Sequence, residues 1–219
     1  VDPQRLHDVL LARYGRQGWW PAEDAFEVMA GAVLVQNTAW HNAARAVAAL
    51  RAGDYLTPDR LVALRVGQLQ RLIRPSGTYR VKARRLKNLA RALRGIGGVA
   101  GLEGMTTTGA RRFLLAVDGV GAETADAILV YALHRPAFVV DAYARRLWRR
   151  LTGGEVADSA LRLGVEKALP TSAALGELHA LVVAHGKQHC GQRPRCAGCV
   201  LRAHCVTGQA SVDNRCFDR

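Results

Sequence analysis

Apolar residues return at helical spacing through Phe26, Met29, Ala30, Ala32, Val33 and Val35, then Ala44, Val47 and Leu50, then Leu86, Leu89, Ala90 and Leu93. A stripe at every third or fourth position marks a helix with one buried face. Ala110 to Val117, Ala122 to His134, Asp141 to Leu151, Ala157 to Leu169 and Ala173 to His185 share that period, and Pro3 to Tyr14 is amphipathic through Leu6, Val9, Leu10 and Tyr14. No stretch alternates between hairpin turns, and Val139-Val140, after Pro136, is a connector rather than a strand. The pattern predicts an all-α protein. Glycine and proline interrupt it at Gly15 to Pro21, Pro75 to Gly77, Gly95 to Gly104, Asp118 to Gly121 and Gly153 to Gly154, so most joints are short, and the last ten residues read as a loose tail.

Charge narrows the partner. Thirty-one basic residues against eighteen acidic ones give a formal charge of +13, which favours a polyanion, with nucleic acid first among them. Only four of the basic residues are lysines, Lys82, Lys87, Lys167 and Lys187, which limits the choice of an amine nucleophile. No apolar run reaches the roughly 18 residues that a membrane span needs, and no apolar signal segment stands at the start. The expected compartment is the cytoplasm, with nucleoid association in a prokaryote.

Near the C-terminus Cys190, Cys196, Cys199 and Cys205 are separated by five, two and five residues, which lets a short loop bring four thiolates to one centre. Either an iron-sulfur cube or a tetrahedral zinc fits, and the spacing alone does not choose. A disulfide framework is disfavoured by the closeness of Cys196 to Cys199. Cys216, in a polar tail, reads as a free thiol. His41, His185, His189 and His204 show no ligand spacing of their own and read as surface or packing residues.

The run Ala116-Val117-Asp118-Gly119-Val120-Gly121-Ala122-Glu123-Thr124-Ala125 joins one helix to the next through two glycines. Such a turn can direct main-chain amides at a phosphate without side-chain interference. It is a helix-hairpin-helix signature, and Val139-Val140-Asp141 follows it.

With these residues, Leu34-Val35-Gln36-Asn37-Thr38, Gly77-Thr78-Tyr79, Lys82-Ala83 and the cysteine cluster, the chain resembles the endonuclease III branch of the helix-hairpin-helix (HhH-GPD) DNA glycosylase superfamily over nearly its whole length. The resemblance implies a bilobal all-α fold: a helical barrel lobe over 21–134 bearing the hairpin, and a discontinuous lobe of 1–20 with 135–219. It implies a monomer acting on double-stranded DNA that contains a damaged base, and a [4Fe-4S] cluster, in preference to zinc, on the four cysteines. The family's first cysteine gap is usually six residues; here it is five, which reshapes the loop of Gln192, Arg193, Pro194 and Arg195. Arg193 and Arg195, with Arg202, are the phosphate contacts expected beside it.

Enzymes of this kind extrude a damaged nucleotide and break its N-glycosidic bond. Asp141 matches the family's catalytic aspartate, and a role as helix N-cap is compatible with that. Bifunctional members carry a Schiff-base lysine where this chain has Glu123, which has no amine, so hydrolysis by water is expected. Gly119, Val120 and Gly121 match the backbone-binding hairpin; Gln36 and Thr78 lie where the family fills the gap left by the extruded base. Gln36 can also serve as a loop amide satisfying main-chain groups. Trp19-Trp20-Pro21 and Gln-Asn-Thr-Ala-Trp are most similar to endonuclease III-related proteins that remove 3-methyladenine, with Trp20 the candidate stacking face and Trp40 a second. The rival readings are a bifunctional endonuclease III acting on oxidised pyrimidines and cutting abasic sites, and a damage-binding protein without activity. The missing lysine, and Asp118 in place of the usual hairpin proline, point toward the last.

Overall fold

The computed structural model describes residues 2–213, with side chains through residue 210. Its contacts divide the chain into two compact units, Val1–Trp19 with Pro136–Arg219, and Trp20–Arg135. Helix α1 (Pro3–Tyr14) opens the first unit. The second holds α2 (Ala25–Leu34), α3 (Trp40–Ala52), α4 (Pro58–Ala63), α5 (Val66–Leu72), α6 (Tyr79–Arg94), α7 (Val99–Glu103), α8 (Thr107–Leu115) and α9 (Ala122–Ala127). The chain then returns to the first unit with α10 (Ala142–Thr152), α11 (Asp158–Ala168), α12 (Ser172–Gln188) and α13 (Val206–Asp213). No strand occurs among the described residues, as the periodicity predicts, and none of their helices is long and apolar enough to cross a membrane.

In the first unit, α1 starts where the Asp2 carboxylate accepts the amides of Gln4 and Arg5, with Pro3 in the first turn where a missing N–H costs nothing. It buries Leu6 and Leu10 and packs on α12, which also receives α10. The partner surface that periodicity alone could not assign to α1 is therefore α12, with a smaller contact to α11.

The second unit is built around α2, whose residues from Phe26 to Leu34 are all buried. A helix apolar all round belongs in a core, and α3, α6 and the turn after α9 pack against it. Helix α6 shows the opposite pattern: Leu86, Leu89, Ala90 and Leu93 face inward, while Arg80, Arg84, Arg91 and Arg94 stay exposed.

Several sequence expectations need correction. The buried stripe of α3 is Ala43, Ala46, Val47 and Leu50; Ala44 lies only half-buried beside it. The helix expected over Ala122 to His134 is α-helical to Ala127, widens to a π-helical turn over Ile128–Ala132, and stops before His134, whose φ is +50°. Gly95 to Gly104 is not all joint, since α7 lies within it; a Cβ on Gly101 would stand 1.7 Å from the Ile96 carbonyl oxygen, so close approach explains the glycine that hid the helix. The expected tail begins inside α13, and Cys216 lies outside the described residues.

Candidate functional site

The hairpin joins α8 to α9 within the second unit. Gly119 has a φ of +94°, and a Cβ there would come within 2.2 Å of Arg85 Cγ, so both conformation and space require glycine. Val120 is buried and its amide donates to the Val117 carbonyl at 3.0 Å, fixing the turn from inside. Gly121 caps α9 with open space around it, leaving the helix start accessible. Across the turn, Arg111 on α8 donates to both carboxylate oxygens of the buried Asp126 on α9, at 2.7 and 3.1 Å. Neither partner is signalled by the glycine motif. Glu123 stands exposed in the first turn of α9, and Asp118 accepts from Asn88 at 3.1 Å, with Arg84 3.8 Å away.

Gln36 is tied to this turn. Its amide nitrogen donates to the Gly119 carbonyl at 3.1 Å and to Thr124 Oγ1 at 2.9 Å, and its amide oxygen accepts from Arg85. In this state Gln36 satisfies main-chain and hydroxyl groups. Thr78 is exposed at the tip of the next loop, with a left-handed φ of +33° after Gly77 at +67°. Beneath both loops lies Lys82, buried, whose ammonium donates to the Leu34 carbonyl at 2.8 Å and the Ser76 carbonyl at 2.5 Å. Burial, and then the Arg85 charge, push its pKa down to about 8. Lys87 is likewise buried on the carbonyls of Val62 and Leu64.

Trp20 belongs to the second unit. Its ring stands edge-on to Trp40 (5.0 Å between centroids, 88° between planes) and tilted against Tyr131 at 5.4 Å. Gly31 gives the indole its seat: a Cβ there would lie 3.2 Å from Trp20 Nε1. Both candidate stacking residues thus share one aromatic cluster.

Asp141 is the N-cap of α10 in the first unit. Its Oδ1 accepts the Ala144 amide at 2.8 Å, as Asp at an N-cap should. Its Oδ2 faces Nε2 of His179 on α12 at 3.6 Å, longer than a hydrogen bond. Burial pulls the Asp141 carboxyl upward, but the His179 imidazole and the amides of Ala144 and Tyr143 outweigh it, and the group titrates below the ordinary aspartate value. One carboxylate therefore caps a helix with one oxygen and turns the other toward His179. His179 escapes sequence reasoning because it lies 38 positions from Asp141, in an ordinary apolar helix.

Cys190, Cys196, Cys199 and Cys205 line one cavity together with Leu147, Arg150 and His185. All four are free thiols. Among the described residues no three His, Cys, Asp or Glu side chains are gathered tightly enough for a single metal ion, and what the four cysteines share is the lining of one cavity. Burial and the neighbouring thiols push the Cys199 and Cys205 pKa values up, so a site of this kind ionises when a cationic group binds. The donor set and the shared cavity fit a four-sulfur cluster. Arginines of α10 hold its rim: Arg146 donates to the Cys190 carbonyl at 2.8 Å, and Arg150 to Cys190 Sγ at 3.2 Å and the Gly191 carbonyl at 2.7 Å. His185, expected only to pack, is buried with Nε2 3.7 Å from Cys199 Sγ and Nδ1 2.9 Å from the Tyr14 hydroxyl. Arg193 and Arg195 are exposed, and the Arg195 guanidinium donates to the Gln188 carbonyl at 2.5 Å.

Residues 30–167, a span holding the hairpin and Asp141, match the profile of the HhH-GPD superfamily base excision DNA repair proteins. The chain belongs to that superfamily. It is similar to a protein of Methanocaldococcus jannaschii that carries the name of a DNA repair glycosylase, 39% identical over 93% of this chain and 95% of that one. It is also similar to endonuclease III of Thermotoga maritima, 31% identical over 88% and 89% of the two chains. Among solved structures, the H. pylori 3-methyladenine DNA glycosylase bound to 1,N6-ethenoadenine matches with a TM-score of 0.74 and 27% identity, over 86% of this chain and 98% of that one. A non-covalent endonuclease III–DNA complex matches at 0.78 and 25%, over 97% and 99%. The all-α HhH-GPD fold and a base excision DNA glycosylase activity follow from this membership.

Proposed function

We propose that this HhH-GPD protein is a monofunctional N-glycosylase that removes alkylated purines from duplex DNA by hydrolysis. The observation that carries the reading is the state of Asp141, a desolvated carboxylate held ionised with Oδ2 turned away from its capping bond. An alkylated purine leaves readily, and the sugar becomes cationic as the bond to C1′ breaks. The carboxylate stabilises that charge. Water then adds its oxygen to C1′, the departing base keeps the bonding electron pair, and the proton lost from water passes by way of Asp141 to solvent. An abasic site and a free base result, with the strand intact.

No amine is at hand for the lyase alternative at the hairpin, where Glu123 stands. Lys82 and Lys87 are buried on main-chain carbonyls and cannot condense with a sugar. Gly119 to Gly121 would hold the DNA backbone through main-chain amides, the exposed arginines of α6 and the cysteine loop would add phosphate contacts, and Gln36 and Thr78 would meet the duplex at the extruded base. Gln36 must first exchange its bonds to Gly119 and Thr124 for the orphaned base. The Trp20–Trp40–Tyr131 cluster supplies an aromatic surface suited to an electron-poor purine.

Cys190, Cys196, Cys199 and Cys205 would hold a [4Fe-4S] cluster, which when bound cross-links the loop through iron–sulfur bonds and takes no part in bond cleavage. The deciding experiment incubates the protein with duplexes carrying an alkylated purine or an oxidised pyrimidine and resolves the strands before and after hot alkali. Breaks that need alkali, on the alkylated duplex and without a borohydride-trapped adduct, are expected. Direct cleavage of the oxidised duplex with a trapped adduct would replace the reading with the bifunctional one.

A further inference from the structure

Asp141 is held from two helices, α10 and α12, and only the α10 contacts are a helix cap. From α10 the amides of Ala144 and Tyr143 hold the carboxylate on one side, the Ala144 bond at Oδ1. From α12 the contact is His179. Its side chain is 7% exposed against 18% for Asp141, and its Nε2 lies 3.6 Å from Oδ2. The Trp19 ring closes on the imidazole edge-to-face, with centroids 5.7 Å apart and planes at 81°. Helices α10 and α12, which carry the pair, pack directly on each other. A buried imidazole aimed at a buried carboxylate presents its N–H end, because the opposite tautomer would set a lone pair against negative charge.

We propose that His179 is the positioning residue of Asp141, fixing the plane of its carboxylate and keeping it anionic so that Oδ2 faces the reacting sugar already oriented and charged. The inference rests on the reading of Asp141 as the catalytic carboxylate. His179 acts through Asp141 and makes no contact with substrate. From α12 the group facing Asp141 is His179; from α10 they are the amides of Ala144 and Tyr143, which are uncharged. Loss of His179 therefore removes the one ionisable influence that α12 brings to the carboxylate, while the cap remains. Trp19 has a part in the same device: by covering the imidazole it keeps water from screening the contact.

The test uses full-length protein in three forms, wild type, His179→Asn and His179→Phe. Asp141 is followed by carboxyl carbon NMR, with Asp141→Asn to assign its signal, and single-turnover base release from an alkylated duplex is measured from pH 4 to 8. Without His179 the Asp141 carboxyl should titrate higher, by about one unit in His179→Phe and less in His179→Asn, which keeps an N–H donor. The acidic limb of the rate profile should move by the same amount, giving roughly ten-fold slower release at the acid end, with duplex affinity unchanged. A merely structural role would lower the melting temperature without moving the titration. If the Asp141 signal titrates at the same pH in all three proteins, the proposal is overturned. The carboxyl titration needs no substrate, so it decides the pairing even where the alkylated duplex is not cleaved; the functional reading fails separately, when Asp141→Asn releases base at the wild-type rate.

Discussion

At the Val117–Gly121 turn the groups proposed to work are main-chain amides, with Val117 and Val120 turned inward, two glycines bare and Asp118 exposed beside Asn88 and Arg84, whereas at Asp141 the group proposed to work is a single side chain and the main chain serves to hold it. The two regions should fail in different ways. A site made of backbone depends on conformation, so any Cβ in the wrong place weakens it for every substrate alike. A site made of one carboxylate depends on charge, so an isosteric change leaves the fold in place and removes the reaction. On the proposed roles of the two regions, binding and chemistry should be separable by mutation.

The largest expected effect breaks the chemical side alone. Asp141→Asn keeps an excellent N-cap, since Asn ranks with Asp there, so the bond to the Ala144 amide and the melting temperature should be preserved. Removing the negative charge should slow single-turnover base release by about a hundred- to ten-thousand-fold, the range expected for a carboxylate acting on a developing cation or on water. Duplex affinity should hold or rise slightly with one anion fewer. A variant that melts early, with a rate loss no greater than its unfolded fraction explains, would make Asp141 a cap and nothing more.

Gly119→Ala breaks the other side. The substitution meets a φ of +94° and an overlap with Arg85 Cγ at 2.2 Å, and the turn has to move. Strain of about 1–3 kcal/mol corresponds to roughly five- to 150-fold weaker duplex binding. Because the contact carries no base information, undamaged and damaged duplexes should lose equally, and base release at saturating protein should be little changed. Fluorescence anisotropy on both duplexes checks this. A loss confined to damaged DNA would mean that the hairpin takes part in base recognition, and the separation drawn here would not hold.

How far each region could be read from sequence follows from the same contrast. The hairpin is local: two glycines in three positions announce it, and the helix ends that flank it, Leu115 and Ala122, lie within two residues of their expected places, although α8 starts three residues earlier and α9 stops seven earlier than the periodicity predicts. What the motif could not show is the clamp of Arg111 on Asp126, or Gln36 reaching the Gly119 carbonyl from 83 positions away. Asp141 was legible through its neighbours Val139 and Val140 and its place before a helix, yet His179 was not, because nothing in an apolar helix distinguishes a histidine aimed at a carboxylate from one that packs. Short elements were lost for a different reason. Helices α4 and α5 have six and seven residues, too few to display a period, although Thr57-Pro58, where Thr57 Oγ1 accepts the Arg60 amide, was a readable start signal. The four cysteines declared their common site by spacing, while the role of α10 arginines in holding its rim emerged only in three dimensions.

Lys82 lies between the two cases, a side chain whose work is to hold main chain. Its ammonium bonds the Leu34 carbonyl, ahead of Gln36, and the Ser76 carbonyl, ahead of Thr78, so a single charge fastens both loops expected to meet the extruded site. Lys82→Met fills similar volume but leaves two carbonyls without a donor, which should cost about 1–3 kcal/mol of stability. The pH dependence sharpens the assignment. Burial lowers the pKa of Lys82 to about 8, against 10.5 for an ordinary lysine, so between those values the unfolded chain holds a proton that the folded protein has released. Stability attributable to this group therefore rises with pH through that window, whereas below about pH 8 the cost of the buried charge is constant. Wild type and Lys82→Met should differ least near pH 7 and most near pH 10 in thermal melts, and base release by the variant should show a raised KM with kcat nearly kept. A stability gap that stays flat from pH 7 to 10 would mean that burial does not lower the pKa of Lys82, the ammonium staying charged on its two carbonyls at no net cost.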